Sequence, residues 1–197
     1  MRRIVWVVVY VLIASVSHAQ APASVPVIKV SQTGSAIKFA VKASVALEGT
    51  FDQWDATLTF TSDHVADGVL DIKIQAASVN TGSRIKDDKL KGKDFFNADQ
   101  DPYITFRSTK IVRTGPNTFD VPGTFTIRGV SKPETLSFTG KGTRGTGHGK
   151  ITGTMAFDRK EFGMNSGIPF IRFADRVEVS VDLVVDRVSG PPLVFKQ

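Results

Sequence analysis

Eight separate stretches of this chain alternate apolar and polar side chains with a period of two. That period places every second residue on one face of a β-strand, so each stretch reads as a strand with one buried face. Phe39 and Val41 alternate with Lys38, Ala40 and Lys42, and Leu58 and Phe60 with Thr57, Thr59 and Thr61. Ile72 and Ile74, Ile104 and Phe106, and Phe125 and Ile127 repeat the pattern. Leu136 and Phe138, then Met155 and Phe157, then Val179 and Val181 complete it. The strands are rich in Thr, Val, Ile and Phe, the residues that suit a pleated, half-buried surface. Turn signals separate most of them: Ala66-Asp67-Gly68, Thr114-Gly115-Pro116-Asn117 and the glycine-rich run from Gly140 to Gly149. One segment breaks the rhythm, and Ser83 to Leu90 is expected to be a short helix with Ser83 as its N-cap. The fold class is therefore all-β, with about eight sequential antiparallel strands that close into a barrel or split into a sandwich. A barrel of strands about 10 residues long, tilted near 40°, would stand roughly 25 Å high. Small inward residues such as Ser108 and Gly153 would leave room beside the phenylalanine rings, which permits an elongated apolar tunnel.

The ends of the chain stand apart from this pattern. Met1-Arg2-Arg3, the apolar run Ile4 to Val16 and the small-x-small Ser17-His18-Ala19 read as a cleaved signal peptide over residues 1–19. The run is short for a membrane-spanning helix, which needs about 20 apolar residues. Residues 20–27 read as a flexible lead, 28–188 as the barrel domain, and 189–197, with Pro191-Pro192, as a loose tail. Export of this kind places the protein in the periplasm. Without Arg2 and Arg3 the chain keeps 23 basic and 19 acidic residues, a net charge of +4. So mild an excess favours an anionic membrane surface and does not argue for nucleic acid. There is no cysteine, which removes thiol redox chemistry and cysteine-ligated metals.

No catalytic constellation stands out, and the chain does not read as an enzyme. Gly140-Lys141-Gly142-Thr143-Arg144-Gly145 matches GxGxxG, but a strand rather than a helix follows it, so a hairpin loop is the better reading. His64 and His148 sit at turns without ligand spacing, so no metal is expected. The GxSxG pattern is absent. The mixed-charge run Arg84 to Asp94 reads as a solvated helix and loop, or as a polar rim for a head group. Strand alternation would expose one of the adjacent rings Phe95 and Phe96, which suits a mouth or a plug as well as ordinary core packing. Phe162-Gly163 is a second aromatic at a loop.

Several of these segments, in this order, resemble the YceI-like family of lipid- and polyisoprenoid-binding proteins. They are Ala77-Ser78 with Thr81-Gly82, Leu90 with Asp94-Phe95-Phe96, Pro102 with Ile104-Thr105-Phe106 and Ser108-Thr109, Ile127 to Pro133, and Arg159 with Phe162-Gly163. The resemblance runs from about Val27 to Val188. It implies an exported, lipocalin-like antiparallel barrel with a long cavity for an isoprenoid quinone, a polyprenyl chain or a similar amphiphile, and it does not imply catalysis. Lys89 and Lys42-Ala43 stand where the family often has a histidine and a Lys-His pair, which bears on head-group contacts.

On this reading the inward residues Phe39, Val41, Leu58, Phe60, Ile72, Ile74, Ile104, Phe106, Phe125, Ile127, Leu136, Phe138, Met155, Phe157, Val179 and Val181 line the cavity. Phe95, Phe96 and Phe162 are candidate mouth residues, and Arg84, Asp87 and Lys89 candidate head-group contacts. The expected ligand is a long-chain isoprenoid lipid or quinone, and no cofactor is expected. Transient contact with a membrane, or with a membrane redox protein, follows from that ligand. A homodimer is favoured only if the sheet keeps uncovered edges. The rivals are a barrel with a filled core that works through its outer surface as an interaction or stress protein, and, more weakly, a hydrolase.

Overall fold

The computed structural model describes residues 25–44, 47–142, 147–167 and 172–195. The expected signal peptide, residues 1–19, and most of the expected lead lie outside the described residues. The strands are β1 (Val27–Ala43), β2 (Leu47–Phe51), β3 (Trp54–Phe60), β4 (Gly68–Gln75), β5 (Val79–Asn80), β6 (Tyr103–Ser108), β7 (Val112–Arg113), β8 (Thr118–Ile127), β9 (Val130–Gly142), β10 (His148–Asp158) and β11 (Phe173–Ser189). One helix, α1 (Arg84–Lys91), follows β5.

Three of the eight expected strands are bent, which is why eleven segments appear. β1 pairs with β3 at Ile28↔Leu58 and with β2 from Lys38↔Thr50 to Val41↔Leu47, nearly one continuous register. β4 and β5 mirror that bend, pairing with β3 and β2 respectively. The Ser78 hydroxyl bridges the break: it accepts from Gln53 N at 3.0 Å and donates to Gln75 O at 2.7 Å. β6 and β7 pair in turn along β8, joined by Thr109 N donating to Pro122 O at 2.9 Å. The sheet closes where β1 meets β11, from Val27↔Ser189 to Ala43↔Phe173. The result is an eight-stranded antiparallel barrel, the closed alternative of the two that alternation allowed. Closure removes the free edges on which a homodimer would have rested.

Local chemistry explains the corners. β8 and β9 are joined by the two-residue turn Arg128-Gly129, with φ of +54° and +71°. Both residues are left-handed, the geometry that matches the twist of a tight hairpin. Arg128, which follows the alternating pair Phe125 and Ile127, is therefore a turn residue. Its guanidinium donates to Gly163 O and to Lys93 O, tying the hairpin to the loop after α1 and to the 3₁₀ turn Arg159–Phe162. In β1 the register shifts between Ser31 and Ala36, where Gly34 has φ +79° and the Ser35 hydroxyl accepts from Val184 N at 2.8 Å. That bulge lets one strand serve both halves of its bent neighbour.

α1 forms where expected, but Ser83 makes no side-chain cap. Asp87 in the first turn instead ties down the preceding segment, accepting from Thr81 N at 2.8 Å and from the Thr81 hydroxyl at 2.7 Å. Only Leu90 of the helix is buried. The two rings that follow are both buried, against the expectation for a strand. Residues 93–96 form a turn, so alternation does not apply to them. Phe96 packs on Phe51 at 5.7 Å and edge-on against Phe39 at 6.4 Å, while Phe95 packs on Phe173 at 6.1 Å. Together they plug one end of the barrel.

Candidate functional site

Among the described residues two cavities stand at opposite ends of the barrel interior. The smaller, about 70 Å³, lies under the α1 plug. The larger, about 610 Å³, reaches the surface at the β9–β10 end. Individual strands show the division. On β4, Ile74 borders the small cavity and Leu70 the large one, with Ile72 between them bordering neither. On β11 the same holds for Val179, Leu183 and the intervening Val181. Phe106 of β6, Leu136 of β9 and Met155 of β10 also border neither cavity, although all are buried. These five side chains form a packed waist.

Two glycines make the waist tight. A Cβ on Gly123 would stand 2.7 Å from the Phe106 ring, and one on Gly153 would stand 2.2 Å from the Phe138 ring. Gly153 therefore leaves no vacant space; Phe138 fills it. Ser108 is likewise used by the fold, its buried hydroxyl accepting from Leu70 N at 2.8 Å where the β4–β6 ladder ends. The single tunnel permitted by the sequence is interrupted at these positions.

The large cavity is walled by Ile28, Leu58, Phe60, Leu70, Phe119, Val121, Phe138, Ile151, Leu183 and Val185. Its mouth is built from backbone and long cations. Gly140 and Gly142 of β9 and Gly149 of β10 lie on its wall, where the lack of side chains keeps it open. The GxGxxG run thus begins on the wall of the cavity. The residues between Gly142 and Gly147 lie outside the described residues. Arg113, Lys141, Lys150 and Arg187 stand around the mouth together with His148.

The segment expected to be a loose tail is part of this wall. Pro192, Leu193 and Phe195 line the cavity. Val194 donates from N to Asp63 O at 2.7 Å and accepts at O from Val65 N at 3.1 Å. Phe195 packs on Phe119 at 6.0 Å, and the Arg113 guanidinium donates to Phe195 O. Its role was hidden in the sequence because a short apolar segment after two prolines has no period to read.

The small cavity is apolar except for Arg159, a buried cation at its wall. This guanidinium donates to Met164 O, to Ser166 O at 3.2 Å and to Asp175 Oδ1 at 2.8 Å, and it lies 4.4 Å from the centre of the Phe173 ring. Lys160 reaches the other oxygen of Asp175 at 2.8 Å. The hydrogen bond from Lys160 holds the Asp175 carboxyl below its ordinary range, and the charges of Lys160 and Arg159 add to it. A carboxylate with a depressed folded value contributes stability above its unfolded pKa, about 4, and loses it as pH falls through the lower folded value. Asp175→Asn is expected to lower the melting temperature at pH 7, with the gap to the native chain closing as the pH approaches 2. Thermal melts of both proteins across that range measure it, and a gap constant with pH would assign the effect to packing instead.

The expected lining residues fall into three groups. Phe39, Val41, Ile74, Ile104, Phe125, Ile127, Phe157 and Val179 border the small cavity, as do the expected mouth residues Phe95 and Phe96. Leu58, Phe60 and Phe138 border the large one. Ile72, Phe106, Leu136, Met155 and Val181 form the waist. Phe162 borders neither cavity; it is enclosed by Phe125 at 5.4 Å and Phe157 at 5.2 Å. Arg84, Asp87 and Lys89 border neither. Arg84 pairs with Asp88 at 3.7 Å, Asp87 holds Thr81, and Lys89 pairs with Asp94 at 2.8 Å, which lowers the pKa of that carboxyl. Among the described residues no cluster of three or more His, Asp or Glu is placed to hold a metal ion.

Known proteins resemble this chain in sequence and fold. A UPF0312 protein of Pseudomonas savastanoi is 30% identical over 127 residues, which cover 62% of this chain and 66% of that protein. The chain thus spans a little under two thirds of that relative's length. The crystal structure of BcnA from Burkholderia cenocepacia superposes with a TM-score of 0.71 at 27% identity, over 79% of this chain and 99% of that one. A polyisoprenoid-binding domain from Saccharophagus degradans shares the fold with a TM-score of 0.66 at 15% identity, over 82% of this chain and 99% of the domain. The YceI-like domain itself matches residues 29–185, the whole barrel from β1 into β11, and the chain belongs to the YceI-like family.

Proposed function

We propose that this protein is an exported binding protein that carries an isoprenoid or similar long-chain amphiphile in the large cavity. The observation that carries the reading is an apolar space of about 610 Å³ that reaches the surface at one end of a closed barrel. That volume falls within the roughly 300–1,000 Å³ of pockets that bury most of a small ligand. At about 30 Å³ per water-sized unit it holds on the order of 20 carbon atoms. Membership of the family, and a fold-mate that binds polyisoprenoids, support the tail chemistry. An isoprenoid quinone is an alternative ligand of the same tail chemistry, and a membrane redox protein would then be its partner.

Energetics favour carriage between membranes. Burying roughly 600 Å² of tail is worth about 15 kcal/mol against water at about 25 cal/mol per Å², before the cost of ordering the ligand. A tail already in a bilayer gains almost nothing from the transfer. The barrel therefore competes with water and suits transport or sequestration in the periplasm. The packed waist is the one observation that favours the rival, a filled-core interaction protein.

Native mass spectrometry of residues 20–197 purified from an exporting host, followed by lipid extraction, separates the two. A stoichiometric long-chain amphiphile is the expected result. An unliganded mass that persists after incubation with quinones and polyprenols would overturn the carrier reading.

A further inference from the structure

We propose that the mouth of the large cavity is a head-group site selective for an anion, a phosphate or carboxylate carried on a single apolar tail. The inference rests on the carrier reading and adds the chemistry of the head group. Its basis is the charge of the mouth. Among the described residues every Lys, Arg, Asp or Glu that borders the cavity is cationic: Arg113, Lys141, Lys150 and Arg187. Two of these cations keep their charge uncancelled by the bonds that hold them. Arg113 donates to the carbonyls of Gly115, Pro116 and Phe195, and Arg187 to the carbonyl of Gly190 at 2.6 Å. Carbonyl oxygens fix a guanidinium in place without neutralising it. Lys150 is partly neutralised by Asp182 at 3.4 Å. Both arginines are half-buried residues at the edge of an apolar wall. There the effective dielectric is lower than in water, and the two like charges reinforce each other's field at the opening.

The geometry also orients the ligand. A tail entering between Phe138 and Leu183 leaves its head at the glycine strip, where Gly140, Gly142 and Gly149 offer no side chain to obstruct the cations. The opposite end is plugged by Phe95 and Phe96, and among the described residues its one cavity-lining cation, Arg159, is ion-paired with Asp175.

The test compares geranylgeranyl phosphate, palmitate and geranylgeraniol, three single-tailed probes with different heads. Dissociation constants are measured for the whole mature chain at low and high salt. Both anionic probes, or one of them, are expected to bind at least about tenfold tighter than the alcohol at low salt, with the gap narrowing at high salt as screening grows. Preference for the phosphate alone or the carboxylate alone assigns the source. Lys141→Glu, at an exposed strand position, is expected to shrink the gap between the anionic probes and the alcohol at low salt. Equal affinities for all three probes overturn the anion site while leaving the carrier reading intact. Failure of all three to bind overturns the carrier reading itself.

Discussion

Gly140→Phe is expected to fold like the native protein and to lose bound amphiphile by about tenfold or more. Gly140 lies on β9 opposite Ile151 of β10, on the same inward face as Leu136 and Phe138. A Cβ there meets only the Phe119 ring at 3.8 Å and Asn117 O at 4.0 Å, both ordinary contacts. Its backbone bond to Asn117 O, 2.8 Å, does not involve the side chain. Its φ lies outside the left-handed region, so a larger residue carries no backbone strain. Phenylalanine also suits a strand better than glycine. Its seven side-chain carbons would take up roughly 200 Å³ at about 30 Å³ each, a third of the cavity near its mouth. Gly140→Ala is the control, with occupancy expected to stay within about twofold. Lipid content by mass spectrometry, beside a thermal melt, checks both. Unchanged occupancy in a folded Gly140→Phe would show that the ligand lies elsewhere.

Phe106→Ala carries the second large effect, on stability and on ligand length together. The Phe106 ring faces Gly123 and lies between Ile72 and Phe125 on the neighbouring strands, at the centre of the waist. Truncating a buried phenylalanine typically costs about 3–5 kcal/mol, through lost burial and the hole left behind. In a domain of this size that lowers the melting temperature by on the order of 10 °C. The hole also joins the two cavities, so longer isoprenoid tails are expected to gain affinity relative to shorter ones. An aspartate at the same place would bury an unpaired charge and unfold the barrel, which is why alanine is the useful probe. Chain-length selectivity measured with a polyprenol series tests the division. A destabilised variant with unchanged selectivity would remove the waist as the divider.

The sequence located this protein's strands well and its cavity poorly, for a physical reason visible in single residues. The expected strand segments lie on β1, β3, β4, β6, β8, β9, β10 and β11. Alternation is a local signal, written by burial of one face, and neighbours two residues apart carry it whatever the fold. It also identified the inward face: Ile72, Phe106, Leu136 and Val181 are all deeply buried. Phe95 and Phe96 were harder because they lie in a turn, where the rule that read the strands has no force. The glycines from Gly140 to Gly149 were set aside as a hairpin, and some of them also form the cavity wall. Nothing local distinguishes Gly153, filled by the Phe138 ring, from Gly140, left open.

By itself, then, the amino-acid order determined an all-β chain with one apolar face per strand, and through its motifs the family to which it belongs. Alternation left closure open and the resemblance implied it; tertiary structure alone decided the pairing of β1 with β11, the position of the waist and the end that opens. Those depend on volume, which belongs to no single strand. Whether space remains at one level of a barrel is settled by rings from neighbouring strands and by a distant segment, here Pro192 to Phe195, folding back across the mouth. Periodicity names the face that a residue joins, and packing among all eight strands determines how much of that face is left for a ligand.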